Sequence, residues 1–387
     1  VSDIPSYFAG FLEEIRLTPE LRKECEDAHK ELRAKLHADP VLSKIIVSTF
    51  LQGSYRRRTG CRPLTDEDHV DVDVVVVTNL DPRLWTPAMV LEQLFKPFLD
   101  HHYPKQWAPN DRSIEITPTG GRATIDLVPT SAPSEIQQQI FKEADAGFQI
   151  EARGDVERET LLPVSLREAI KKVTGSETWQ GEPLMIPSRD LSRWIPTHPL
   201  AQIEWTEQKG SRTSGHYVNV VKAGKWWRKR NADGKYPKGY PLEHLIGANC
   251  PDWVGSVAEG LTRTLEAIRD NYRGDFLAGT VPYLRDHGVD HDVLRRVTPE
   301  QFATFWRLVD TAASKARAAM SAEGTANSAI LWRDLLGPEF PQPSKDELKE
   351  SVAAALRSGS AGVVGSGIVS GGGRPIVAGR SFGAGHE

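Results

Sequence analysis

Two rhythms of apolar and polar positions run along this chain. Residues 45–51 are largely apolar, and 70–77 read Val-Asp-Val-Asp-Val-Val-Val-Val. On a strand, side chains alternate between faces. Val70, Val72, Val74 and Val76 then make one wholly apolar face, while the other opens with Asp71 and Asp73 and closes with Val75 and Val77. Residues 122–128 read as a further strand with Asp126 on its polar face, in a hairpin with 113–119 about Gly120-Gly121. Helical spacing predicts helices over 4–17 and 19–38, the second with Leu21, Cys25, Ala28, Leu32 and Leu36 as its stripe and Pro19 in its first turn. Residues 86–103 form an amphipathic helix with a kink at Pro97.

From Pro129 to Pro196 the pattern weakens, with part-helical 134–150 and a short helix at 166–173, and a lobe boundary is expected here. Beyond Pro199 the chain becomes helix after helix, including 215–230, 299–321, 327–335 and 344–356. A loop from Tyr283 is expected to enter a helix near Asp290. Ser358–Glu387 is rich in glycine and serine and reads as a flexible tail.

The polar face of the valine-rich strand carries the candidate chemistry. Asp71 and Asp73 lie roughly 6.5–7 Å apart along a strand, and without a cation between them they repel by ~1–2 kcal/mol. Two-metal phosphoryl-transfer sites need carboxylates that bridge divalent ions about 3.5–4 Å apart. Upstream, Gly53 lets the backbone approach a phosphate, Ser54 offers a hydroxyl and an N–H, and a helix start favours an anion. Alone, an Asp-x-Asp is more often a solvated edge, and a Gly-Ser after a strand says little. In this order, with Asp126 downstream, the three carboxylates point to metal-dependent chemistry. Arg56, Arg57 and Arg58 beside the turn read either as phosphate contacts or as a solvated helix face. His101-His102, adjacent on a helix, point in different directions and do not read as a metal pair. His287 and His291 lack a third ligand at zinc spacing.

Gln52-Gly53-Ser54, Asp71-x-Asp73 and the distant Asp126 resemble the nucleotidyltransferase superfamily that includes DNA polymerase beta. More closely, the chain resembles the bacterial cGAS/DncV-like nucleotidyltransferases (CD-NTases), which make cyclic oligonucleotide signals in CBASS anti-phage defence. IVSTFLQGS, DVDVVVVTNL, THPLAQIEWT, VKAGKWWR, KYPKGYPLEHLIG and LWRDLLGPEFP are similar to clade D members. The resemblance implies an α/β (α+β) fold: a polymerase beta-like catalytic lobe with a small mixed sheet, braced by a long N-terminal helix, and a helical C-terminal lobe. It implies that Asp71, Asp73 and Asp126 hold two Mg²⁺ ions, with Mn²⁺ able to substitute. Gln52, Gly53, Ser54, Lys225 and Tyr240 are implied to contact nucleotide, Lys225 at the triphosphate and Tyr240 at the base. Gly239 stands where relatives carry a phosphate-contacting serine, so any contact there falls to backbone N–H. ATP and other NTPs are the implied substrates and an adenine-rich cyclic trinucleotide the implied product. A product-sensing effector nuclease and CBASS regulatory or conjugation proteins are the implied partners.

Composition narrows the classes further. A net charge of −4 over 387 residues argues against general coating of nucleic acid. Three widely spaced cysteines, Cys25, Cys61 and Cys250, read as reduced thiols of a cytoplasmic protein. No run approaches the roughly 20 apolar residues of a membrane span, and no signal peptide is evident before the first helix. The expected divisions are 1–195 for the catalytic lobe with its N-terminal helices, 196–343 for the helical lobe and 344–387 for a short helix and tail. Two other functions stay open: a template-independent transferase that tails RNA or makes linear oligoadenylate, and an idle nucleotide-binding scaffold.

Overall fold

The computed structural model describes residues 3–151, 161, 164–176, 181–231, 237–358, 362–364 and 367–369. Helices α1 (Pro5–Ile15) and α2 (Pro19–Ala38) come first, and Thr18 caps α2 by accepting the Leu21 N–H. Strand β1 (Ile46–Gln52) runs into the single turn α3 (Gly53–Arg56), and β2 (Val70–Thr78) follows. The helical stretch 87–102 comprises α4 (Pro87–Met89), a π-helical turn and α5 (Lys96–His102), with Pro97 in the first turn of α5. Strands β3 (Trp107–Pro109), β4 (Ile114–Ile116) and β5 (Ala123–Ser131) lead to helices α6 (Glu135–Glu151) and α7 (Val164–Thr174). The hairpin β6 (Leu184–Ser188) and β7 (Arg193–Thr197) closes this half.

The sheet is mixed, in the order β1-β2-β5-β4-β3, with β6 on the far end of β5 and β7 beside β6. β2 and β5 are parallel and the other pairs antiparallel. The alternation read from β2 holds. Val74 and Val76 pack with α2 and the 87–102 stretch, Val70 and Val72 with Leu21 and Cys25, and Val75 and Val77 with α6 and α7. Among the described residues the apolar cover on the second face of β2 lies at its valine end. Where the same face begins, it carries Asp71 and Asp73.

The second half is helical: α8 (Pro199–Arg212), α9 (Tyr217–Asn231), α10 (Gly239–Asn249), α11 (Val257–Asn271), α12 (Arg273–Ala278), α13 (Pro299–Ser321), α14 (Thr325–Leu336) and α15 (Lys345–Ser358). Its core joins α9, α10, α11, α13 and α14 around Trp226, Phe302 and Trp332. Phe8, Phe11 and Ile15 of α1 belong to this core, while Leu32 and Leu36 of α2 belong to the sheet's. The brace expected of one helix is thus divided between two. The helix expected from Asp290 does not form. The Asp292 carboxylate accepts the N–H groups of Leu284 and Leu294, and Arg285 bridges to Asp292, so local polar capture replaces a helical ladder. Within the expected tail, β8 (Gly362–Val364) and β9 (Gly367–Val369) pair as a short hairpin; the rest of 359–387 lies outside the described residues. All three cysteines are buried free thiols. Among the described residues no helix is long and apolar enough to cross a membrane.

His29 of α2 is fully buried beside the Tyr55 ring, and neither ring nitrogen meets a partner among the described residues. Burial first, then the neighbouring charges of Arg33 and Lys30, pushes its pKa down to about 3. The unfolded chain binds a proton near pH 6.5 that the folded chain refuses. The contribution is therefore complete above pH 6.5 and is lost as pH falls from there towards 3. His29→Phe is expected to remove about 2 kcal/mol of the stability loss between pH 6.5 and 5. Urea midpoints of both proteins at the two pH values measure it, and an unchanged difference would refute the assignment.

Candidate active site

β1 delivers the chain to the carboxylates at its last residue. Gln52 is the cross-strand partner of Asp73, and Gly53 turns immediately afterwards with φ +70°. A Cβ placed on Gly53 would lie 1.8 Å from Asp73 Oδ2. Glycine is required here twice over, for the left-handed backbone and for the missing side chain. α3 is a single turn, so Ser54 offers backbone N–H and hydroxyl groups rather than the aligned dipole of a long helix.

The parallel register between β2 and β5 sets Asp73 beside Asp126 and Asp71 beside Thr124. Paired positions project from one face, so the three aspartates share it. The Thr124 hydroxyl donates to Asp71 at 2.6 Å, and the Ser113 hydroxyl donates to Asp126 at 3.0 Å. Glu115 on β4 is the antiparallel partner of Asp126, adding a fourth carboxylate to this face. Sequence reading passed over Glu115, although Ser-Ile-Glu-Ile alternates as a strand should. Burial and then the Asp126 charge push Asp73 up to about 7, against the opposing pull of Arg57. Burial also raises Asp126, opposed by the Ser113 hydrogen bond and reinforced by Asp71.

A divalent cation suits this donor set. Hard oxygen ligands are what Mg²⁺ prefers, and crowded carboxylates that otherwise retain protons favour a positive charge among them. Among the described residues no group of three or more His, Cys, Asp or Glu side chains is arranged to hold a metal ion by itself. Mg²⁺ does not require one, because it keeps waters and shares substrate phosphates with one or two carboxylates.

On the other side of the Gly-Ser turn lies an ion cluster. Arg57 Nε donates to Glu243 Oε1 at 2.7 Å, and Lys225 Nζ donates to Glu243 Oε2 at 2.6 Å. The Thr59 hydroxyl donates to the same oxygen at 2.8 Å and accepts from Lys225 at 3.2 Å. Arg57 and Glu243 are almost wholly buried. Burial would raise the Glu243 pKa, but Arg57 and Lys225 outweigh it and hold the carboxyl well below the usual range. The alternatives read for the arginines are thus resolved for Arg57, which is neither solvated nor aimed outward. Glu243 is the second residue that sequence reading missed. A lone acid amid Leu242, Leu245 and Ile246 is its only signal.

Tyr240 continues the wall. Its ring faces the Arg57 guanidinium at 5.2 Å, and its hydroxyl donates to Asp286. Gln202 also donates to Asp286, at 3.3 Å. His287 stacks on Trp205 at 4.2 Å and meets His244 at the same distance, whereas His291 faces Arg112. The two histidines therefore diverge, in keeping with the absence of a zinc pattern.

Residues 3–150 match the family described as Second Messenger Oligonucleotide or Dinucleotide Synthetase domain. The chain is 39% identical over 358 residues to a protein of Salmonella paratyphi B named probable cyclic AMP-AMP-GMP nucleotide synthase, covering 88% of this chain and 93% of that one. It is 28% identical over 353 residues to the cyclic AMP-AMP-AMP synthase of an Acinetobacter strain, covering 90% and 88%. Among solved structures, the CD-NTase CdnG of Bradyrhizobium diazoefficiens in complex with GTP aligns with a TM-score of 0.61 at 14% identity, covering 86% and 95%. E. coli MS115-1 CdnC with ATP aligns with a TM-score of 0.56 at 16% identity, covering 87% and 99%. The two structures share this fold.

Removing the Glu243 charge leaves Arg57 buried without its counterion, which typically costs about 3–5 kcal/mol. Glu243→Gln is expected to lower the chemical-denaturation stability by that order. A change below about 1 kcal/mol would mean that the pair does not hold the two halves together.

Proposed function

The chain belongs to the bacterial cGAS/DncV-like nucleotidyltransferases, and from that membership we propose how its own residues build a cyclic oligonucleotide. It is a nucleotidyltransferase that joins nucleotides into cyclic products. The finer reading is an adenine-rich cyclic trinucleotide, with ATP as the main substrate and GTP as a candidate third base. It draws on the names of the relatives, of which one acts as a cyclic AMP-AMP-AMP synthase and another is named for AMP-AMP-GMP. An anti-phage role in the cytoplasm, with a product-sensing effector nuclease and regulatory or conjugation proteins as partners, belongs to the same reading.

The observation that carries the residue assignment is the shared face of Asp71, Asp73 and Asp126 beside the Gly53-Ser54 turn. In this reading Asp71, Asp73 and Asp126 hold two Mg²⁺ ions, or Mn²⁺ in their place. When bound, such ions supply charge neutralisation for the phosphates and acidify a hydroxyl. The residues supply the rest. Gly53 and Ser54 set the donor nucleotide's phosphates over Asp73, with Gln52 alongside. Asp126 lies at the acceptor end, where its carboxylate is placed to take the 3′-hydroxyl proton. A new bond forms between the 3′-oxygen and the α-phosphorus as the α–β phosphoanhydride breaks, and pyrophosphate leaves. Lys225 offsets the charge of the departing group as a mobile point cation, released from Glu243, which retains Arg57. Tyr240 offers its ring to a base, and stacking tolerates any base. The divisions at 195 and 343 remain our proposal for the lobes, with α1 shared into the second.

Incubation of the purified chain with four labelled NTPs and Mg²⁺ or Mn²⁺, followed by phosphatase and mass analysis, tests the product. A phosphatase-resistant cyclic species supports the reading; only linear or RNA-attached products would overturn it. Asp71→Asn with Asp73→Asn is expected to abolish pyrophosphate release while the circular dichroism spectrum stays unchanged. Gly53→Ala displaces the Asp73 carboxylate and is expected to cost at least about 10²-fold in turnover, the scale of ångström misplacement. Near-normal turnover in either variant would show that the chemistry lies elsewhere.

A further inference from the structure

The Ser113 hydroxyl that meets Asp126 belongs to a tight turn between β3 and β4, closed where the Asn110 N–H donates to the Ser113 carbonyl at 2.9 Å. One such bond does not hold a side chain to the tolerance that catalysis asks, since about 1 Å of misplacement can cost on the order of 10²-fold. The turn therefore needs support from outside itself. Asp111, in its middle, supplies it.

Only 8% of the Asp111 side chain is exposed, and its two oxygens serve different parts of the molecule. Oδ1 accepts the Ser188 hydroxyl at 2.8 Å and the Asp190 N–H at 3.0 Å, which pins the turn to the β6–β7 hairpin. The backbone joins the same two segments. The Arg189 N–H donates to the Asp111 carbonyl at 3.0 Å, and the Arg189 guanidinium donates to the Ser113 carbonyl. Oδ2 serves the helical half. Arg296 donates to it at 2.7 Å and to Asp190 at 2.8 Å, and Arg295 stands 3.5 Å away. Arg295 and Arg296 are flanked by Leu294 and Val297, both buried in the helical core. Arg112, from the turn itself, lies 3.5 Å from Oδ2 and meets His291 at 3.4 Å. Burial would raise the Asp111 pKa, but Ser188, Asp190, Arg112 and Arg296 outweigh it and hold the carboxyl below its usual range.

A buried carboxylate is costly to keep unless its contacts are made. Asp111 makes them to both halves of the molecule, which is more than capping a turn requires. We propose that Asp111 is a positioning residue for nucleotidyl transfer: it fixes the 110–113 turn so that Ser113 orients Asp126, and through Arg296 it makes that orientation depend on the helical half. The acceptor end of the site is then aligned only when the two halves stand together. This role rests on Asp126 being the acceptor-side carboxylate.

Pyrophosphate release from ATP with Mg²⁺, resolved into kcat and KM, tests the role on the full chain. Asp111→Ala is expected to lower kcat about 10²-fold, the scale of ångström misplacement, with KM for ATP within about twofold. Ser113→Ala should lower kcat about tenfold or more, and the double variant should fall no further than Asp111→Ala, because Asp111 acts through Ser113. A residue that merely stabilised the fold would give independent, multiplying losses. Arg296→Gln, on a half-exposed side chain, should lower kcat severalfold while the urea midpoint stays close to the original. Asp111→Asn retains an acceptor for Ser188 and Asp190 but not the charge for Arg296, and should match Arg296→Gln. Amide hydrogen exchange reads the turn without any turnover. At Asn110 and Asp190 it should quicken about tenfold or more in Asp111→Ala and severalfold in Arg296→Gln, while Val74 and Val76 stay protected. Asp126→Asn separates the two assignments, and activity in that variant would overturn the role of Asp126 and that of Asp111 with it. With Asp126→Asn inactive, a normal kcat in Asp111→Ala, multiplying losses with Ser113→Ala, or unchanged exchange in Arg296→Gln would overturn the role of Asp111 alone.

Discussion

The register between β2 and β5 is the constraint on which the site depends. Two parallel strands set Asp73 level with Asp126, and a slip of one residue would send one carboxylate into the core beneath the sheet. The slip is forbidden by the valines further along. Val74 and Val76 pack on α2 and the 87–102 stretch, and Val75 and Val77 pack on α6 and α7, so both faces of β2 are committed beyond the aspartates. The apolar half of the strand thus fixes the position of its acidic half. Electrostatic strain among the carboxylates is carried by hydrophobic burial a few residues away.

A second coupling runs between the halves of the molecule. Glu243 of α10 takes hydrogen bonds from Arg57, Thr59 and Lys225, so one buried carboxylate ties the turn after β1 to the helical core. Such a cluster contributes less to net stability than its short distances suggest, because desolvation offsets most of the Coulomb attraction. What it does contribute is position. Arg57 is held under the Tyr240 ring and near Asp73, and Lys225 is held on Thr59 and Glu243, where its charge acts on Asp73.

Where burial follows a simple period, the fold was legible in the chain. β2, β5, α2 and α13 each show their alternation or stripe, and the order of Gly53-Ser54, Asp71, Asp73 and Asp126 marks the proposed catalytic face. The β6–β7 hairpin was not, because Pro187 and Pro196 lie within its strands and proline ordinarily argues against one. Proline is tolerated at the margin of a sheet, where N–H groups need no ladder partner, and among the described residues β7 pairs with β6 alone. Glu243 was illegible for a different reason. Its acidity stands out among leucines, but its partner Arg57 is 186 residues away, and periodicity carries no information over that span.

The position of α1 has a consequence for how this chain comes to be folded. Phe8 meets Trp332 and Phe340 edge-on, and the Tyr7 hydroxyl reaches Glu347, 340 residues further along. During synthesis α1 leaves the ribosome long before those partners exist, while α2 can dock on the sheet as soon as β5 is made. An amphipathic segment waiting so long with its aromatic face bare is a natural client for a chaperone. Contacts of such high order also slow the final closure of the helical half.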